Sequence, residues 1–223
     1  MTGTRWAEVD EYLSDLFLGP DAALDAALAA SAAADLPPIA VSPNQGKLLC
    51  LLARLQGARN ILEIGTLGGY STIWLARAVG PGGKVTSLEL NEKHAEVARA
   101  NVARAGLAGV VDVRVGRAID TLPLLKREGL GPFDMIFIDA DKASIPDYFA
   151  WSLKLARAGS LILVDNVIRD GAVVDAGSTD ASVIGVRRFN EMAAAEPRVT
   201  ATTIQTVGVK GYDGLTFVLV TGA

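Results

Sequence analysis

The sequence predicts an α/β fold, a doubly wound and mostly parallel sheet with helices on both faces. From residue 60 onward, short β-type runs alternate with helical stretches, the rhythm of βαβ crossovers. Two of the runs, Met135-Ile-Phe-Ile138 and Leu161-Ile-Leu-Val164, are continuously apolar, as strands covered on both faces are. The last two runs have no helix between them, so they are expected to pair antiparallel and close one edge of the sheet.

Taken in order, residues 5–35 read as helical and are divided at Gly19-Pro20. The alanine-rich piece from Asp21 to Ala34 has high helix propensity, and Leu36-Pro37-Pro38 ends it. A third helix opens with Ser42 as N-cap, Pro43 at the first helical position and Gln45 at the capping-box position. Leu48, Leu49, Leu51, Leu52 and Leu55 are expected to form its buried face, with Cys50 a small apolar residue among them. Strands follow at 60–64, 84–88, 110–115, 133–138 and 160–164. Helices are expected at 71–79, 92–105, 117–127, 146–157 and 182–195. Strands at 199–205 and 215–220 flank the turn-rich segment Gly208–Gly214. The expected organisation is one domain over 1–223, with helices in 1–56 and the sheet in 57–223.

Composition excludes several functions. With one cysteine and one histidine, Cys50 and His94, a disulfide framework, a multi-cysteine metal site and a two-histidine metal motif are all ruled out. A net charge of −4 gives no basic footprint for nucleic acid. Mean hydropathy is +0.32, yet no apolar run approaches the ~18 residues of a membrane span. The acidic start is unlike a signal peptide, and the expectation is a soluble, cytoplasmic enzyme.

In open α/β sheets ligands bind beyond the carboxyl ends of the strands, and acids and glycines gather there. The first strand runs into Glu63-Ile-Gly65-Thr66-Leu-Gly-Gly69-Tyr-Ser71. The dinucleotide fingerprint would need glycine at 67 and 70, where Leu67 and Tyr70 stand, and an acid beside the loop suits a cationic ligand better than a pyrophosphate. Glu89 ends the second strand, where a carboxylate can accept both hydroxyls of a ribose. The fourth strand ends in Asp139-Ala-Asp141-Lys142 and the fifth in Asp165-Asn166. Asp139, Asp165 and Asn166 then share one rim and offer hard oxygen ligands, suited to Mg²⁺, Ca²⁺ or Mn²⁺. Each acid could instead cap the turn or helix that follows it.

From about Val41 to the C-terminus, these segments together resemble the class I S-adenosylmethionine-dependent O-methyltransferases, in particular the cation-dependent group acting on catechols and caffeoyl-coenzyme A. The resemblance implies a Rossmann-like seven-stranded sheet of order 3-2-1-4-5-7-6 with the last strand antiparallel. It implies a metal, Mg²⁺ in the first instance, held by Asp139, Asp165 and Asn166. It assigns S-adenosylmethionine to Val41, Glu63, Gly65, Thr66, Gly69, Ser71, Glu89, Ala118 and Asp139, with the N-terminal helices covering the site. Lys142 matches the family's general base, and Asp139 serves both metal and cofactor. The expected acceptor is a small phenol with vicinal hydroxyls that chelate the cation, and the expected assembly is a homodimer. The segment Val167–Gly171 carries no aromatic residue to stack on such a ring; Tyr148, Trp151 and Tyr212 remain as pocket candidates, with core packing the better role for Trp151. Arg169 could meet an acidic substituent or face water. His94 is read as a surface or packing residue. The competing readings are an NAD-dependent oxidoreductase and a cofactor-binding module without turnover.

Overall fold

Helix and strand alternate along the computed structural model, which describes residues 3–222. Helices α1 (Gly3–Phe17), α2 (Ala22–Ala33) and α3 (Pro43–Leu55) come first. They are followed by β1 (Asn60–Ile64), α4 (Tyr70–Ala78), β2 (Lys84–Glu89), α5 (Glu92–Arg104), β3 (Val111–Val115), α6 (Ala118–Arg127) and β4 (Met135–Ile138). The chain ends with α7 (Ile145–Leu155), β5 (Leu161–Asp165), α8 (Ala181–Ala195), β6 (Val199–Gly208) and β7 (Gly211–Val220). The seven strands form one sheet in the order β3-β2-β1-β4-β5-β7-β6, the order the resemblance implies. β1 to β5 are parallel where they pair, and β7 runs antiparallel to both β5 and β6. The antiparallel strand thus lies one place in from the edge, with β6 outside it.

Successive strand residues point to opposite faces, and the central strands bury both. Ile61, Met135, Phe137 and Leu163 join one apolar layer with Leu49, Ile73, Leu75 and Val102. Leu62, Ile64, Ile136, Ile138, Ile162 and Val164 join the other, with Leu122, Phe149 and Phe189 from α6, α7 and α8. Phe149 and Phe189 meet edge to face, their centroids 5.2 Å apart. The sheet order reverses between β1 and β4, and the loops leaving those strands form the crevice in which the candidate residues gather.

Two expectations need correction. The buried face of α3 is Gly46, Leu49, Cys50 and Ala53, whereas Leu51 and Leu55 are 46% and 84% exposed. The buried set follows the i, i+3, i+4, i+7 spacing of one helical face, and Leu51 and Leu55 fall off it. The terminal hairpin is also longer than its glycines suggest. Pairing continues from Leu215 down to Gly208↔Gly211, leaving only Val209 and Lys210 in the turn. Gly214 is within the strand because a Cβ there would lie 2.4 Å from Ile168, in the loop after β5.

Helix α2 is tied by polar contacts to the helices that cover one face of the sheet. Asp21 caps α2 by accepting from the Leu24 amide and also pairs with Arg77 of α4. Asn101 of α5, 1% exposed, donates its Nδ2 to Gly68 O at 2.9 Å and Ala27 O at 3.3 Å. It therefore joins α2, α5 and the loop after β1. Asn101→Leu would take this donor from the Gly68 carbonyl, while Ala27 O keeps the Ser31 hydroxyl at 2.8 Å, and urea unfolding followed by circular dichroism is expected to show a loss of about 2 kcal/mol.

Candidate active site at the strand ends

The loop after β1 starts at Gly65, whose φ of +103° favours glycine. A Cβ at this position would stand 2.2 Å from the carbonyl oxygen of Asp139. Gly65 therefore allows β1 and β4 to leave the sheet in contact. Gly69, also at positive φ, precedes α4.

Glu63 is fully buried beneath this loop. Its side chain lies on the α4 side of the sheet and pairs in register with Ser87 of β2. Ser71 and Ser87 donate to it at 2.6 Å each, and Thr72 completes the set. Burial pushes its carboxyl up to about 7 despite the three hydroxyls, which favour the ionised form. Thr66 extends the network through its 2.6 Å contact with Ser87. Glu63 thus meets the first turn of α4 through the hydroxyls of Ser71 and Thr72, and the loop through Ser87 and Thr66.

Glu89, 8% exposed, is held by backbone amides. Its Oε2 accepts from Thr66 N at 3.2 Å and Leu67 N at 2.7 Å, and its Oε1 accepts from Asn91 N at 3.0 Å. His94, in the first turn of α5, brings Nδ1 to 3.5 Å from Glu89 Oε1. Sequence reading assigned His94 to surface or packing and missed this contact. The signal was its position one turn into the helix that follows Glu89.

The two acids after β4 separate. Asp141 caps a one-turn 3₁₀ helix, Lys142–Ser144, accepting from Ser144 N and from the Tyr148 hydroxyl at 2.6 Å; these bonds hold its carboxyl below the usual range against a desolvation effect that raises it. Tyr148 is consequently buried against Asp141 and is no pocket aromatic. Asp139 faces Lys142 instead, with Nζ 2.8 Å from Oδ1 and both side chains largely shielded from solvent.

Ile138 pairs with Val164, so Asp139 and Asp165 are the next residues on adjacent parallel strands. Asp165 is buried; desolvation first, then the negative charge of Asp139, push its carboxyl above the usual carboxylate range, while Lys142 opposes the shift. Its Oδ1 accepts from Asn166 N at 2.8 Å, and its Oδ2 accepts from Gln45 Nε2 at 2.6 Å. Asn166 has a φ of +58°, a conformation asparagine tolerates better than most side chains. Arg169 and Asp170 also have positive φ. Asp213 of β7 steadies this segment by accepting from the amides of Ile168 and Arg169, and its Oδ2 lies 3.7 Å from the Arg169 guanidinium.

These residues fit a hard cation. Two carboxylates and an amide oxygen are the donor types such an ion takes, and the Lys142 ammonium offsets part of the charge of the two aspartates. Among the described residues no group of three His, Cys, Asp or Glu is placed to hold a metal ion; the candidate set is two aspartates with an asparagine. A cavity of about 220 Å³ opens beside Asp165 and Asn166, walled by Asp10, Asn44 and Gln45 on one side and Gly208, Lys210 and Asp213 on the other. Among the described residues no aromatic lines it. The Tyr212 hydroxyl turns to Gln205, and Trp151 is half-buried under Lys154, 4.2 Å from its ring centroid. Val41 is buried just before α3, and Ala118 is the first residue of α6. Gln45 and Asp213 were not singled out as site residues from sequence; the first looks like a cap and the second like part of a turn.

The pH dependence of stability tests the Glu63 environment. Between the ordinary value of 4.5 and about 7, the folded chain keeps a proton that the unfolded chain has released. Stability from this group is therefore fully present below the lower value and lost as pH rises through the upper one. Glu63→Gln is expected to flatten the fall in unfolding free energy between about pH 5 and pH 8 by on the order of 2 kcal/mol, read from urea titrations across that range.

Comparison with known proteins agrees with this geometry. A sequence model described as O-methyltransferase matches residues 21–220. A catechol O-methyltransferase of Niastella koreensis is 55% identical over 220 residues, covering 99% of this chain and 100% of that protein. The crystal structure of an O-methyltransferase from Bacillus cereus in complex with SAH is 55% identical and superposes with a TM-score of 0.98, covering 99% of this chain and 100% of that one. The O-methyltransferase TomG from Streptomyces achromogenes, solved with SAM, is 56% identical with a TM-score of 0.96 and full coverage of both chains. A family match of this extent, on a sheet of the order the resemblance implies, leaves the oxidoreductase reading without support: the chain belongs to the O-methyltransferase family.

Proposed function

We propose that this O-methyltransferase takes its methyl group from S-adenosylmethionine, requires a divalent cation, and methylates one hydroxyl of a small catechol-like acceptor. The observation that carries the reading is the meeting of Asp139, Lys142, Asp165 and Asn166 at one corner beside a small cavity. The SAH and SAM complexes of similar proteins and the catechol acceptor named for one relative support it.

In this reading Glu89 accepts the ribose hydroxyls of S-adenosylmethionine. Three backbone amides already fix its carboxylate, so little ordering remains to be done on binding. Gly65, Thr66, Gly69 and Ser71 surround the methionine part, with Glu63 behind them; Val41 and Ala118 add contacts, and Asp139 borders both cofactor and cation. Asp139, Asp165 and Asn166 hold the cation, Mg²⁺ with Mn²⁺ or Ca²⁺ as substitutes, which when bound supplies Lewis-acid stabilisation of an ionised acceptor oxygen. Lys142, after its ammonium has given a proton to solvent, takes the proton from the acceptor hydroxyl at Nζ. The acceptor oxygen then bonds the methyl carbon as the carbon–sulfur bond breaks, its electron pair remaining on sulfur. A neutral thioether and a methyl ether result, and Lys142 passes the proton to solvent.

The N-terminal helices and the sheet form one catalytic unit in this reading, and the partner is a second copy of the chain. Helix α1 has no buried residue among those described, and Val9, Tyr12, Leu16 and Phe17 are exposed on it. Ile204 and Val207 are exposed on β6, against which α1 packs. A second copy would cover these apolar groups. No helix among the described residues is long and apolar enough to cross a membrane, and a cytoplasmic location with no nucleic-acid partner completes the reading.

Methyl transfer to a panel of catechols is expected to stop with EDTA and return with Mg²⁺; activity indifferent to chelation overturns the metal requirement. Lys142→Met is expected to lower kcat by about 10²- to 10⁴-fold with KM little changed, whereas an effect confined to KM would make Lys142 a binding residue only. Sedimentation equilibrium is expected to give close to twice the 23.3 kDa chain mass.

A further inference from the structure

Gln45 occupies the third position of α3, three residues after its Ser42 N-cap. At this position a glutamine side chain ordinarily returns to the backbone amide of the cap. The forward half of the motif is present, with Ser42 Oγ accepting from Gln45 N at 3.3 Å. The side chain goes elsewhere. Its Nε2 donates to Asp165 Oδ2 at 2.6 Å, joining residues 120 apart in the chain.

That bond has a specific effect on Asp165. The Asn166 amide donates to Oδ1 and the Gln45 amide to Oδ2, so each carboxylate oxygen has one fixed donor. Each oxygen keeps a second lone pair, and rotation of the carboxylate would break both bonds. A side chain drawn away from its local partner to a buried carboxylate is the kind of departure from local rules found where function sets the geometry. Gln45 also lines the cavity beside Asp165 and Asn166.

We infer that Gln45 is a positioning residue for the cation: it presets the Asp165 carboxylate and connects the start of α3 to the metal corner. The inference rests on the metal reading above. Removing the donor leaves the carboxylate held by the Asn166 amide alone and is expected to weaken cation binding on the order of tenfold, as loss of an outer partner of a metal ligand does. None of the residues assigned above to the cofactor takes part in this bond.

The test is a Mn²⁺ titration of the full chain without cofactor, in which electron paramagnetic resonance reads the loss of free ion. Wild type is compared with Gln45→Ala and with Gln45→Met, which keeps the side-chain length and removes the donor. Circular dichroism and calorimetric SAH affinity serve as fold controls. The expected result is a roughly tenfold weaker Mn²⁺ affinity in both variants with SAH affinity unchanged, and methyl transfer regained at saturating Mn²⁺. Unchanged Mn²⁺ affinity in both variants overturns the inference alone. So does a loss in Gln45→Ala that Gln45→Met restores, because side-chain volume and not the donor would then be responsible. A wild-type chain that takes up no Mn²⁺ overturns the metal reading and this inference with it.

Discussion

Asp139 and Asp165 leave adjacent parallel strands at equivalent positions, and the negative charge of one raises the energy of ionising the other in a site where little water reaches Asp165. The surrounding structure answers this repulsion. Lys142 is delivered beside Asp139 by a one-turn helix that Asp141 caps. Asn166 adopts a left-handed conformation immediately after Asp165 and returns its amide to that carboxylate. Gln45 reaches in from α3. In the proposed reading, a cation added to this corner would relieve a strain in charge that the fold has already built, so its binding and the arrangement of the loops would be two aspects of one electrostatic problem.

The four acids at the rim show how partners, more than burial alone, divide the work. Glu63 is enclosed by hydroxyls and knits β1, β2 and α4 together. Glu89 is fixed by amides in a half-formed turn, with an imidazole nearby. Asp139 has an ammonium, whereas Asp165 has two neutral N–H donors. Amides and hydroxyls orient a carboxylate without neutralising it, which keeps it available to a ligand; an ammonium does both.

Much of this was legible in the sequence because the chemistry sits where apolar runs stop. Met135–Ile138 and Leu161–Asp165 announce buried strands, and the acids at their ends need an explanation from the outset. Less legible were interactions that join distant segments. Ser42 and Gln45 read as a complete cap, and nothing local says that the glutamine turns to a residue 120 positions away. The glycines at 208, 211 and 214 read as a loop, although Gly214 is in a strand to admit Ile168. Tyr148 read as a free aromatic until Asp141 claimed its hydroxyl. Leucines in α3 outnumber the places on its buried face, so composition overstated the core there.

The tip of the β6–β7 hairpin meets the opposite end of the chain. The Val209 amide donates to Asp10 of α1 at 2.8 Å, Lys210 reaches Pro38 O at 3.1 Å, and Asn44 donates to the Asp10 carbonyl. One side of the small chamber is therefore a seam between the two termini, set apart from the strand ends that carry the acids. In the proposed reading, lengthening the hairpin or retilting the first helix would recut the room offered to an acceptor while Asp139, Asp165 and Asn166 stay where they are. Appetite for new substrates and skill at the reaction are, in this architecture, separately adjustable.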